Sequence, residues 1–408
     1  MNRKILIVNF NFPPSSSIGG RRWSYMAEGL AKLNFEIHVI TSDLFEINKG
    51  ESPWAKCISD FKKNITYLPH RTPYHVLNKT PDSIVNKIRY KISEKKAKKK
   101  KDANPYDRSI YFSQGAFDLA LEKIKKLKIK NLILTGGPYD FLYRLSNLKV
   151  LFGNNLNLIV DYRDPWTEFY SNEKLKEPIS IIERKQHNRI NTIADCIYTP
   201  YNFVKKQNLK IWKNINIKIL THGFDSNVIK FRSDLFRDIH KWCYAGTLYP
   251  NLEKEIHVLI NLLSETGSKL SIYTYSNYLN YTELSQKNIS TNKLISQEKL
   301  IKLTENFGVF VYFLNEEFKN LKSSKFYELI RFGVFIIYLG PKGEVYDFIE
   351  EHKIGISIEI NDDNFKNLDY SFIKNNFNKH YRLFKPKPYL AEKFSFNYLC
   401  KEITNDLI

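Results

Sequence analysis

Ile5-Leu6-Ile7-Val8-Asn9-Phe10, then Pro13-Pro14-Ser15-Ser16-Ser17-Ile18-Gly19-Gly20-Arg21-Arg22, opens the chain and decides its class. A short, almost continuous apolar run suits a strand buried on both faces. A glycine turn follows, and then a helical stretch over 22–32. A strand that passes through a glycine turn into a helix begins a parallel α/β unit. The same join makes an anion site. Glycine lets backbone approach a ligand, and the helix start offers free N–H groups and the positive end of the dipole. Gly19, Gly20, Arg21 and Arg22 are candidates for an anion-binding loop. The competing reading is a plain tight turn with exposed arginines. Neither GxGxxG nor GK[ST] occurs, so the dinucleotide and ATP fingerprints are absent.

Working outward, apolar β-prone runs recur at 36–41, 131–135, 158–162, 196–199, 217–221, 240–245, 269–274, 308–313 and 334–339. Helical stretches such as 116–127 and 183–193 lie between them. This alternation predicts parallel sheets flanked by helices, with more strands than one doubly wound sheet ordinarily holds. The expectation is α/β, with two Rossmann-like doubly wound domains facing across a cleft. The first spans 1–225, with a basic, weakly periodic, helix-bearing insertion at about 44–107. The second spans 226–390, and a C-terminal helix at 391–408 is expected to pack back on the first.

Composition bounds the setting. The 408 residues are 43% hydrophobic, enough for two cores. Apolar runs are too short for a transmembrane helix or a signal peptide, which predicts a cytoplasmic protein. Cys57, Cys196, Cys243 and Cys400 are scattered with no CxxC, so neither zinc nor a disulfide framework is expected. The net charge of +20 attracts polyanions. It concentrates at Lys87, Arg89, Lys91, Lys95, Lys96 and Lys98 to Lys101, and again at Lys123, Lys125, Lys126, Lys128 and Lys130. These blocks read either as solvated helix faces or as a peripheral anchor on an anionic membrane surface. Nucleic acid is not expected as a partner, because no recognition motif accompanies the charge.

The second half carries its own anion-handling residues. Strand 240–245 runs into Gly246 and Thr247, where a parallel sheet presents ligands to the carboxyl ends of its strands. Farther on, Lys322-Ser323-Ser324-Lys325-Phe326-Tyr327-Glu328 reads as a serine-capped helix start, closed by Gly333. Lys325 can pair with a diphosphate, and Glu328, one turn on, can accept from ribose hydroxyls. An exposed Lys–Glu pair on a surface helix is the plainer reading. Asp161, Arg163 and Asp164 at a strand end, with Tyr139, are candidates for the cleft or for an internal salt bridge.

Taken in order, these segments resemble family 4 of the retaining GT-B glycosyltransferases over nearly the whole chain. Thr135-Gly136-Gly137-Pro138-Tyr139 is similar to the family's Ser-Gly-Pro-Pro-Phe turn. Asp161-Tyr162-Arg163-Asp164-Pro165-Trp166 resembles an Asp-x-Arg-Asp-Pro-Trp motif, and His222-Gly223-Phe224-Asp225 stands where Asn-Gly-Phe-Asp is usual. Tyr244-Ala245-Gly246-Thr247-Leu248-Tyr249 resembles the opening of the donor domain, and Lys325-Phe326-Tyr327-Glu328-Leu329 its Lys-x-Tyr-Glu-Tyr segment.

The resemblance implies a sugar-nucleotide site centred on residues 325–328. Glu328 would hold the ribose and Lys325 the diphosphate, with Gly246 and Thr247 lining the phosphates. Leu294-Ile295-Ser296-Gln297 would pass the base. No metal or other cofactor is implied, since protein cations stabilise the leaving diphosphate. Two positions depart from the pattern. Asn320 stands where a glutamate partner of Glu328 is common, and Leu142 where a histidine is common. The function expected is sugar transfer from a nucleotide-diphosphate sugar to a glycan or polyprenyl-linked acceptor, in bacterial O-antigen or capsule synthesis. The alternatives are a catalytically inactive glycan-binding or scaffold protein, which Asn320 and Leu142 would favour, and a sugar-nucleotide epimerase, which needs acid–base carboxylates.

Overall fold

The computed structural model describes residues 3–15, 18–43, 52, 54–69, 83–97, 103–168, 173–225, 238–248, 251–274, 288–295 and 297–408. They form two units. The first comprises Met1–Thr221 and Leu399–Ile408, and the second His222–Tyr398.

The sheet of the first unit contains β1 (Lys4–Asn9), β2 (Glu36–Ser42), β3 (Ile65–Leu68), β4 (Asn131–Thr135), β5 (Asn157–Asp161), β6 (Cys196–Thr199) and β7 (Ile217–Ile219). Their order is β3-β2-β1-β4-β5-β6-β7, and every pairing is parallel. Strand order reverses between β1 and β4, which pair from Ile5↔Asn131 to Asn9↔Thr135. The central strands are buried along nearly their whole length because helices cover both faces. Each buried Leu, Ile or Val there contributes about 1.5–3 kcal/mol. The insertion expected at about 44–107 is not wholly helical. It includes β3, an edge strand with one fully buried residue, Ile65, whose polar neighbours hide its alternation.

The second unit repeats the plan with β8 (Lys241–Ala245), β9 (Lys269–Thr274), β10 (Ile289–Lys293), β11 (Val309–Phe313), β12 (Phe335–Gly340) and β13 (Gly355–Glu359). The order is β10-β9-β8-β11-β12-β13, again parallel throughout, with the reversal between β8 and β11. Strand β10 is exposed along most of its length, as suits a polar edge that resists pairing with other chains. In β13, Gly355 packs so tightly that a Cβ would come 1.8 Å from the Ile336 carbonyl oxygen.

The chain re-enters the first unit at Leu399. Cys400 Sγ donates to the Met26 carbonyl at 3.3 Å, and Asn131 Nδ2 donates to the Ile408 carbonyl at 2.9 Å. All four cysteines are buried free thiols. Among the described residues, no helix is long and apolar enough to cross a membrane.

Candidate functional site

In a doubly wound sheet, ligands gather where strand order reverses, beyond the carboxyl ends of the strands. Each unit brings some of its sequence candidates to that place.

In the first unit the chain leaves β1 through Asn11 and leaves β4 through Gly137. Asn11 Nδ2 donates to the Gly137 carbonyl at 3.3 Å, and Arg163 Nη2 donates to the same oxygen at 3.3 Å. The helix Ile18–Lys32 begins against them. A Cβ on Gly20 would lie 2.1 Å from the Asn11 carbonyl oxygen, and one on Gly19 would lie 2.2 Å from Arg163 Nη1. Only glycine lets this helix start sit so close to the strand ends. Gly137 has φ +86°, and a Cβ there would meet Arg163 Nη2 at 2.7 Å. Arg163 is paired with Asp164 through Nη2–Oδ2 at 2.6 Å. Burial alone would lower the Arg163 pKa, but the Asp164 carboxylate more than offsets this and the net shift is upward. Gly19, Gly20, Arg163 and Asp164 therefore meet in one cluster. Asn11 completes it and was not singled out by sequence reading; its signal was a polar residue just past a buried strand.

Three other candidates support this cluster from behind. Arg22 faces inward, 4% exposed, and donates to the Leu220 carbonyl at 2.7 Å, the Thr221 carbonyl at 2.8 Å and Asp161 Oδ1 at 3.0 Å. Asp161, fully buried, also accepts from Trp23 Nε1 at 2.6 Å. This corrects the reading of Arg22 as an anion contact and of Asp161 as a cleft residue. Their charges neutralise each other where the ends of β5 and β7 meet the first helix. Tyr139 stacks on Trp166, with ring centroids 4.7 Å apart and planes 5° apart, and its hydroxyl donates to the Asp164 carbonyl at 2.9 Å. It holds the turn that presents Asp164, and burial raises its pKa well above the ordinary value. Arg21 is buried too. Leu142 belongs to the hydrophobic core, fully buried beneath Gly136.

In the second unit β8 runs straight into Gly246, whose N–H donates to the Tyr273 carbonyl at 2.9 Å. Thr247 follows, and its carbonyl accepts from Tyr244 Oη at 2.7 Å. Lys325, in the first turn of the helix Ser324–Phe332, reaches over this loop. A Cβ on Gly246 would come 2.4 Å from Lys325 Nζ. Lys325 keeps solvent access, yet the surrounding protein strips enough water from its ammonium to lower the pKa, with Glu328 pulling the other way. Among the described residues the Lys325 ammonium has no hydrogen bond or ion pair. Glu328, one turn on, is 8% exposed. The helix stops at Gly333, in the left-handed region at φ +57°. A cation, a helix N-terminus and an open glycine backbone at one reversal point can hold a diphosphate.

Other expectations are corrected. Ser323 stands at the N-cap, but its hydroxyl bonds Tyr312 Oη at 2.9 Å instead of capping the helix. Lys322 does not join Lys325. It is buried and paired with Glu344 Oε2 at 2.7 Å. Asn320, which stands where a glutamate partner of Glu328 is common, is turned to the start of the helix Glu344–His352, where its Oδ1 accepts from the Glu344 N–H at 3.4 Å. Ile295 follows β10 and is half-buried; Ser296 lies outside the described residues. Sequence reading also missed Glu255, at the start of the helix Glu253–Thr266. It is 5% exposed, and burial pushes its carboxyl up to about 7.

No protein-family model matches the chain, and no curated protein sequence does. Solved structures match it from end to end. Sucrose-phosphate synthase from Thermosynechococcus elongatus superposes with a TM-score of 0.62 at 11% identity, covering 98% of this chain and 97% of that one. HepE from Anabaena, in complex with UDP, gives 0.60 at 9% identity, covering 98% of each chain. The lipopolysaccharide outer core galactosyltransferase WaaB, in its apo form, gives 0.55 at 12% identity, covering 99% of this chain and 98% of that one. At such identities the likeness establishes architecture: two Rossmann-like parallel-sheet domains of the GT-B fold.

Proposed function

We propose that this GT-B chain is a glycosyltransferase that moves a sugar from a nucleotide-diphosphate donor to a glycan or polyprenyl-linked acceptor. The observation that carries the reading is Lys325 standing over Gly246 at the strand reversal of the second unit. Its ammonium would meet the donor diphosphate, Glu328 would hold the ribose, and the backbone of Gly246 and Thr247 would line the phosphates. As the sugar leaves, charge builds on the diphosphate, and a fixed cation beside a helix N-terminus stabilises it without reorganising. Protein cations, not a metal, supply that charge in this proposal. The acceptor side is assigned to the Asn11, Gly19, Gly137 and Arg163 cluster.

The structural neighbours support this reading by their chemistry. HepE is seen with UDP and with UDP-glucose, and WaaB is a galactosyltransferase of the lipopolysaccharide outer core. A role in surface polysaccharide synthesis at the cytoplasmic face of a membrane, with retention at the anomeric carbon, extends the proposal. A thermal-shift panel of UDP-, GDP-, ADP- and CMP-linked sugars tests it. One nucleotide class should stabilise the protein, Lys325→Ala should abolish that shift, and the matching sugar should be turned over. Stabilisation without turnover on any acceptor would turn the assignment to an inactive binding protein. No stabilisation by any donor would remove it.

A further inference from the structure

The helix Ile84–Ala97 of the first unit is built inside out for a helix in water. A surface helix turns its apolar stripe to the core. Here the inward positions are polar. Asn86, Tyr90, Ser93 and Glu94 are the less exposed residues, Ser93 is 9% exposed, and Glu94 Oε1 accepts from Tyr106 Oη at 3.0 Å. The outward positions are aliphatic. Ile84 is 77% exposed, Val85 58%, Ile88 54% and Ile92 51%.

At about 100° per residue these four side chains fall in one stripe about 100° wide. Exposed basic residues border it. Lys87 and Lys91 lie on one flank, Arg89 and Lys96 on the other, and Lys95 continues the stripe toward the C-terminal end. The helix's one acid, Glu94, is the residue turned inward.

An apolar stripe between two cationic flanks matches the layering of a bilayer surface, with acyl chains below and phosphates at the level of the ammonium groups. Charge decides the occupant. A second copy docked through this face would set lysines against lysines, whereas an anionic leaflet attracts every one of them. We infer that this helix lies in the plane of an anionic membrane, with Ile84, Val85, Ile88 and Ile92 inserted among the acyl chains. The inference deepens the lipid-linked acceptor reading by naming the element that meets the lipid, and it is tested without donor or acceptor.

The full chain is floated with vesicles of phosphatidylcholine alone, and with vesicles containing about a third phosphatidylglycerol. Wild type should float with the anionic vesicles and largely remain behind with the neutral ones. The double variant Ile88→Gln, Ile92→Gln removes apolar contact and leaves the charge intact. Its vesicle partition should fall about tenfold or more, with an unchanged unfolding temperature because both side chains are exposed. Lys87→Gln with Lys91→Gln should weaken binding chiefly at low salt.

Equal flotation of wild type and the isoleucine variant would overturn the inference, since the charge alone would then be responsible. So would failure of wild type to bind anionic vesicles, or a loss of self-association in the isoleucine variant, which would show that the stripe meets another copy. Donor binding is read separately by thermal shift, so failure of the transferase reading leaves the vesicle result standing.

Discussion

The Lys325 ammonium lies so close to the backbone of Gly246 that a Cβ on that glycine would come within 2.4 Å of Nζ. The two residues are far apart in sequence and come from the loop after β8 and from the helix Ser324–Phe332. Their meeting makes a cation above open backbone.

Gly246→Ala should therefore act like a partial loss of Lys325. The new methyl pushes the ammonium off the loop, and donor affinity should fall about tenfold or more, as for loss of a charge-assisted contact. Lys325→Ala should lose at least as much with little change in unfolding temperature. Titration calorimetry with the donor found by thermal shift checks both; undiminished affinity in either variant would detach this loop from the diphosphate.

Lys322 should behave in the opposite way. Its charge is buried against Glu344, so Lys322→Ala leaves a carboxylate without its cation and should cost about 3 kcal/mol or more of stability. Denaturant unfolding should show this, and donor affinity measured on the folded fraction should be nearly unchanged.

Arg22 and Asp161 form a second buried pair across 139 positions. Arg22→Met or Asp161→Asn should lower stability by about 3–5 kcal/mol, because the remaining partner keeps a buried group without its mate. An exposed diphosphate contact would give a different result: weaker donor binding at unchanged stability.

Asn320→Ala tests a capping role against a catalytic one. The 3.4 Å contact to the Glu344 N–H is that of a weak cap, so the loss should be about 1 kcal/mol of stability or less. Turnover should change by less than about tenfold, whereas loss of a group acting in the transition state costs about a hundredfold.

Glu255 should make the second unit sensitive to pH. Burial raises its folded-state pKa from 4.5 to about 7, so the fold favours the protonated form. That contribution is fully present below about 4.5 and is lost as pH rises through about 7. Glu255→Gln removes the titration. Its unfolding temperature relative to wild type should rise between pH 5 and pH 8, and a flat difference across that range would contradict the assignment.

The strand pattern was legible because buried parallel strands are nearly continuous apolar runs. The runs at 131–135, 196–199 and 269–274 became β4, β6 and β9 without adjustment. The edge strands β3 and β10 escaped because they are largely half-buried or exposed and carry little apolar signal. Strand β10 reads Ile-Ser-Thr-Asn-Lys, which nothing local distinguishes from a loop. Gly19, Gly246 and Lys325 stood out in the sequence because a glycine after a strand and a lysine at a helix start are local features. Asn11 was missed, since its importance lies in the Gly137 carbonyl it reaches on another strand.

The sequence by itself determined the class of fold, the alternation of strand and helix, and the glycines that let the chain pack closely after β1 and β8. Periodicity and turn chemistry act over a few residues, so they survive without the fold. Only the tertiary structure decided what each charge is for. Arg22, Lys322 and Lys325 look alike in the linear chain. Folding buries the first two against Asp161 and Glu344, whose carboxylates compensate the cost of desolvation, and leaves Lys325, still an exposed residue, over Gly246. The same holds for the helix Ile84–Ala97, whose lysines were visible in sequence but whose isoleucines face outward only because Ser93 and Glu94 pack inward.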